Sequence, residues 1–157
     1  MLPRSLLERL RERGLDIDYV VDLVASSLEL DPSELSHPHA ELACEMYQRG
    51  LEFLDRGDLV QACEKIYKAV EEGVKALALA NGLPEASEAV RRGRWTVALL
   101  DKAAAKLGDD VYVAWDAAFF LHVNCFHEVR VDVEVARAKL RFIAPLVEKV
   151  RQLCASR

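Results

Sequence analysis

A chain of 157 residues is long enough for one domain with a proper core, and 52% hydrophobic with 30% charged residues describe a globular protein rather than a disordered one. A formal net charge of -5 weighs against a dedicated nucleic-acid binder, because neutralising phosphate takes an excess of lysine and arginine. The four cysteines, Cys44, Cys63, Cys125 and Cys154, form no CxxC pair, so they point to neither a zinc ribbon nor a redox motif and read as small core residues.

In chain order, the first thirty residues suggest two short helices, Leu2 to about Arg13 and Asp16 to about Leu28, split by Gly14. Arg4, Glu8 and Arg9 interrupt the first, which excludes a secretory signal and makes the cytoplasm the expected location. On the second, Ile17, Val20, Val21, Val24 and Leu28 keep helical spacing, so this helix is expected to dock by an apolar stripe, with Asp16 as its cap. Residues 1–30 therefore read as a hairpin appendage and residues 31–157 as the main bundle.

Asp31-Pro32 pairs an N-cap with a proline at the first helical position, while Pro38 leaves the start of the next long helix open. From about Pro38 to Arg56, Ala40, Ala43, Cys44, Tyr47, Leu51 and Leu54 recur at three- and four-residue steps, an amphipathic helix. Gly57-Asp58 is a short turn, so the following helix runs back antiparallel. That helix, Leu59 to Ala80, is apolar over most of its circumference (Ile66, Tyr67, Val70, Val74, Leu77) and keeps a narrow polar stripe of Gln61, Glu64, Lys68, Glu71 and Lys75. A helix of this kind belongs at the centre of a bundle.

Asn81-Gly82 ends it, and the stretch to Arg94 reads as a loop or short helix. A shorter helix is expected over Thr96 to Lys106, and a wide-faced one from Asp110 to about Glu128, with Val111, Trp115, Phe119, His122 and Phe126 in one stripe. The last helix, about Asp132 to Cys154, sets Ala136, Leu140, Ile143, Val147, Val150 and Cys154 in a heptad seam that contains Pro145. No stretch alternates as a strand would. The fold class is all-α, an antiparallel up-and-down helical bundle of about four long helices plus short ones. The most apolar run, Val111 to Phe126, is shorter than a bilayer needs and carries Asp116, His122 and Asn124, so no membrane association is expected. Few Asn and Gln among abundant Arg, Glu, Ala, Leu and Val give a thermophile signal, which leaves an intracellular disulfide open.

The runs GDLVQACEKIYKAVEEGVKALALANGL, RRGRWTVALLDKAAAKLGDDV and LHVNCFHE resemble the archaeal PaREP family of small helical proteins, over roughly Ala40 to Val150. That family is similar in turn to the HEPN superfamily of nucleotide-binding bundles, usually dimeric, which work beside nucleotidyltransferases or as ribonuclease toxins. Catalytic HEPN ribonucleases carry an arginine four to six residues before a histidine, and none of the four histidines here has one. The resemblance thus implies the scaffold without the nuclease chemistry.

Three residue groups are candidates for function. The stripe on the central helix reads as a solvated face of Glu-before-Lys pairs, or as the lining of a groove in which Glu64, Tyr67, Lys68, Glu71, Trp115 and His122 would bind a polar ligand. Arg91, Arg92 and Arg94 beside Trp95 combine charge with a stacking surface suited to single-stranded nucleic acid, or form a solvated loop with Trp95 tucked into the core. His122, Cys125, His127 and Glu128 superficially suggest a metal site, but their spacing fits neither HExxH nor a finger, and HPH at positions 37 to 39 reads as loop-like. No catalytic residue, metal or cofactor is expected. The leading reading is a non-enzymatic dimeric bundle that binds a partner protein, such as a nucleotidyltransferase, or a nucleotide-like ligand. A HEPN-type ribonuclease or nucleotide-processing enzyme using Glu64, Glu71 and His122 is the alternative, and a tetratricopeptide-like adaptor built on GLEFLDRGDLVQACEKIYKAV is a third.

Overall fold

The computed structural model describes residues 2–126 and 131–156. Every regular element among them is an α-helix: α1 (Arg4–Glu12), α2 (Ile17–Ser27), α3 (Pro32–Asp55), α4 (Leu59–Ala80), α5 (Pro84–Arg92), α6 (Val97–Leu107), α7 (Asp109–Phe126) and α8 (Val133–Ala155). Helix starts are set by local chemistry. Asp31 accepts hydrogen bonds from the Ser33 and Glu34 amides while the Glu34 carboxylate accepts from the Asp31 amide, a complete capping box with Pro32 at the first helical position. That box sets the start of α3 at Pro32, and the helix continues through Pro38, so the HPH segment is helical and not a loop. Asp58, Thr96 and Asp132 cap α4, α6 and α8 by accepting from the amides of Gln61, Leu99 and Val135. Asp16 holds the N-cap position of α2 but its side chain makes no cap hydrogen bond.

The long helices α3, α4, α7 and α8 form the bundle, with α4 at its centre against α3, α5, α6, α7 and α8. Ala62, Cys63, Ile66, Val70, Val74, Ala76 and Ala78 of α4 are all almost wholly shielded. Two glycines let neighbours approach closely. A Cβ on Gly50 of α3 would stand 2.7 Å from Ile66 Cγ1 and 3.3 Å from the Ile66 amide nitrogen, and one on Gly73 of α4 would meet Leu146 of α8 at 2.7 Å. Both crossings therefore depend on the missing side chain.

The cysteines are more than core filler, which revises the sequence reading. Cys63 of α4 and Cys125 of α7 form a disulfide, while Cys44 and Cys154 are free with sulfurs 3.9 Å apart. No helix among the described residues is long and apolar enough to cross a membrane.

The amphipathicity of α2 also runs against expectation. Its buried residues are Asp18 and Ala25, whereas Ile17, Tyr19, Leu23, Val24 and Leu28 are exposed. Val20 and Val21 of the expected stripe are only half-buried, so the helix docks largely by its acids and turns much of its apolar surface outward, against a surface on α3 and α4 that is itself charged.

Candidate functional site

The surface beneath α2 is a cluster of ionised groups. From α4 come Lys68, Glu71, Glu72 and Lys75, whose steps of three, one and three residues place them on one side of the helix, and from α3 comes His39. Lys75 Nζ lies 2.7 Å from Glu72 Oε1, 3.4 Å from Glu71 Oε1 and 3.3 Å from Asp22 Oδ2. Lys68 Nζ donates to Asp18 Oδ2 at 2.9 Å and lies 3.7 Å from Glu71 Oε2. His39 bridges the two acids across the gap, with Nδ1 2.5 Å from Glu72 Oε2 and Nε2 3.2 Å from Asp22 Oδ1. His39, Glu72 and Lys75 are nearly inaccessible to solvent.

Charges this deep persist only because each has opposite partners. Burial works against the charged form of His39, but hydrogen bonds to Asp22 and Glu72 and the charges of both outweigh it and raise the imidazole to about 9. The ring is then an imidazolium at neutral pH and donates from both nitrogens. Burial likewise opposes charge on Lys68 and Lys75, yet the carboxylates around them hold both above the ordinary lysine value. For Asp18 and Asp22 burial is again overcome, by Lys68 for the first and by His39 with Lys75 for the second, and both are lowered. Glu71 goes the other way, because burial is larger there than the pull of the lysines. Carboxylate oxygens of Asp18, Glu71 and Glu72 lie within 4.8 Å of one another, a spacing compatible with a cation, but Lys68, Lys75 and the His39 ring already pair with them.

The six residues expected to line a groove are split by the structure. Tyr67 and Trp115 are buried in an aromatic group with Phe119 and His122, in which the Tyr67 and His122 rings stack with centroids 4.2 Å apart. Trp115 Nε1 donates to Asp101 Oδ1 at 2.5 Å, and burial pushes the Tyr67 hydroxyl up to about 12. The Tyr67 and Trp115 rings fill the interior. Lys68 and Glu71 belong to the ion cluster, and Glu64 borders a space that adjoins it at Asp18 and Lys68. That space is a cavity of about 410 Å³ between the α1–α2 hairpin and the α3–α4 pair, lined by Leu7, Leu10, Leu42, Met46, Glu64 and Lys68 among others. The polar stripe is thus covered along its Lys68 to Lys75 length rather than solvated, because α2 lies over it.

Arg91, Arg92 and Arg94 are exposed around the left-handed Gly93 that ends α5, and Arg92 pairs with Glu88. Trp95 is half-buried against the core, and with Arg94, Asp22 and His39 it borders a small cavity of about 30 Å³. His127, Glu128 and the side chain of Phe126 lie outside the described residues, so the histidine–cysteine group near the end of α7 is represented by His122 and by Cys125 in its disulfide.

Sequence reasoning missed Asp18, Asp22, His39 and Glu72 and left Lys75 in the solvated stripe. The available signal was Asp18 and Asp22 at i and i+4 in an otherwise apolar helix, a pair that could only be matched to Lys68 and Lys75 by folding the chain.

The archaeal PaREP1/PaREP8 family matches residues 38–147, which takes in α4 to α7 and most of α3 and α8. The chain belongs to this family. A crystal structure of a Sulfolobus solfataricus protein is similar at TM-score 0.67 and 34% identity, over 71% of this chain and 95% of that one. A solution structure of the same structural-genomics target, the Orf c02003 protein, gives TM-score 0.63 and 34% identity over 73% and 92%. No curated protein matches. Within the PaREP match lie His39, Lys68, Glu71, Glu72 and Lys75; Asp18 and Asp22 precede it.

Proposed function

We propose that this PaREP chain is a non-enzymatic helical-bundle module that pairs with a second copy of itself through the outer face of α7 and α8. The observation that carries this reading is the aromatic surface there: Val113 is 44% exposed, Phe120 37% and Phe142 48%, around an open groove of about 540 Å³ that also takes in Val123 and Lys139. Large apolar side chains grouped on one face of a small domain mark an interface. An antiparallel helix pair set against its symmetry mate forms a four-helix arrangement in which every contact is made twice. The filled aromatic interior around Tyr67 and Trp115 also supports contact between proteins, rather than a ligand cleft at those residues, as the main role.

Sedimentation velocity at micromolar concentration tests the reading. The chain is expected to run as a dimer, and Phe120→Glu with Phe142→Glu to run as a folded monomer. A wild-type monomer refutes it, as does a dimer that the double substitution leaves intact.

A further inference from the structure

We propose that His39, Lys68 and Lys75 form a binding site for a small dianion, a phosphate or dicarboxylate group, and that Asp18 and Asp22 of α2 occupy this site as a built-in competitor. This goes beyond the self-association reading and does not depend on it. The first support is charge. With His39 protonated, the surface on α3 and α4 offers three cations against the two carboxylates of Glu71 and Glu72, leaving one net positive charge under cover. Asp18 and Asp22 then bring two negative charges, one onto Lys68 and the other onto His39 and Lys75. Their positions are those that the oxygens of a doubly charged ligand would take.

The second support is how α2 is held. A helix kept in place by packing buries its apolar stripe. Here Leu23, Val24 and Leu28 are 52%, 50% and 61% exposed, Val20 and Val21 are only half-buried, and two aspartates face inward, so ion pairs carry much of the attachment. Such a contact yields to a competing anion, because the ligand can replace the pairs while the apolar burial lost is confined to Ala25 and parts of Val20 and Val21. The third support is space. The cavity of about 410 Å³ under the hairpin is bordered by both Asp18 and Lys68, so it opens directly onto the site and leaves room for the body of a ligand whose anionic end reaches the lysines. The cationic residues lie on helices inside the family match, and the two aspartates on the segment that precedes it.

Titrating the full chain with pyrophosphate and, separately, succinate by calorimetry tests the proposal. Asp18→Asn/Asp22→Asn is expected to bind one of the two anions at least tenfold more tightly than the wild type, and adding Lys68→Met to that variant should abolish the gain. Hydrogen exchange on the wild type gives an independent readout: at saturating anion, α2 amides should exchange faster while α4 amides do not. Pyrophosphate responding alone assigns a phosphoryl ligand, and succinate alone a dicarboxylate. A folded Asp18→Asn/Asp22→Asn chain that binds neither anion overturns the proposal, as does one that binds no more tightly than the wild type. Should that variant not fold, the wild-type exchange decides: unchanged or slowed α2 exchange at saturating anion refutes it.

Discussion

The imidazole of His39 makes the stability of the folded chain fall as pH rises through the neutral range. In the unfolded chain it titrates near 6.5, and in the fold at about 9, since Asp22 and Glu72 favour its charged form more than burial opposes it. Below pH 6.5 the ring is protonated in both states and the full stabilisation is present. Between 6.5 and 9 the folded state binds the extra proton, so stability declines with pH, and above 9 the contribution is gone. The difference of about two and a half units corresponds to about 3 kcal/mol at about 1.4 kcal/mol per unit. With a urea slope of about 1–3 kcal/mol per molar, the midpoint should drop by about 1–3 M across this window. Comparing wild type with His39→Gln isolates the effect, because other titrating groups are common to both. The advantage of the wild type, measured by urea denaturation from pH 6 to 10, should shrink steadily as the solution becomes more alkaline. A gap that stays constant, or widens as pH rises, refutes the reasoning.

Lys75→Met removes the one ammonium that touches Asp22, Glu71 and Glu72 together, and it should cost about 3–5 kcal/mol at pH 7, because three largely buried carboxylates are then left with only His39 and Lys68 to balance them. Protonation relieves those acids, so the deficit measured by denaturation should narrow between pH 7 and 4. Gly50→Ala places a methyl 2.7 Å from Ile66 Cγ1 and against the Ile66 backbone. Overpacking of about 1–3 kcal/mol exceeds the gain in helix propensity of about 1 kcal/mol, so a lowered Tm is expected, and an unchanged or raised Tm would show that α3 and α4 can part freely.

The bundle was legible because it follows from local periodicity. Ile66, Val70, Val74 and Leu77 on α4, and Ile143, Val147 and Val150 on α8, repeat at helical spacing and are buried as that spacing implies. The Asp58, Thr96 and Asp132 caps are equally local. The candidate site was only half legible. Lys68 and Glu71 stood out as a charged stripe, but Glu-before-Lys order looks the same on a solvated helix and on one covered by another charged surface. His39 was hidden in an HPH segment read as a loop, whereas α3 starts upstream at the Asp31–Glu34 capping box and includes Pro38.

The sequence by itself determined the all-helical class, the number of long helices and the central place of α4, because hydrophobic period and capping act within a few residues. Only the tertiary structure decided that α2 turns Asp18 and Asp22 inward and Leu23, Val24 and Leu28 outward, that Cys63 reaches Cys125, and that Lys75 and His39 lie under cover. Those outcomes depend on which groups meet across the fold, from 17 residues apart for Asp22 and His39 to 62 for the two cysteines, and pairing of that kind has no period to read.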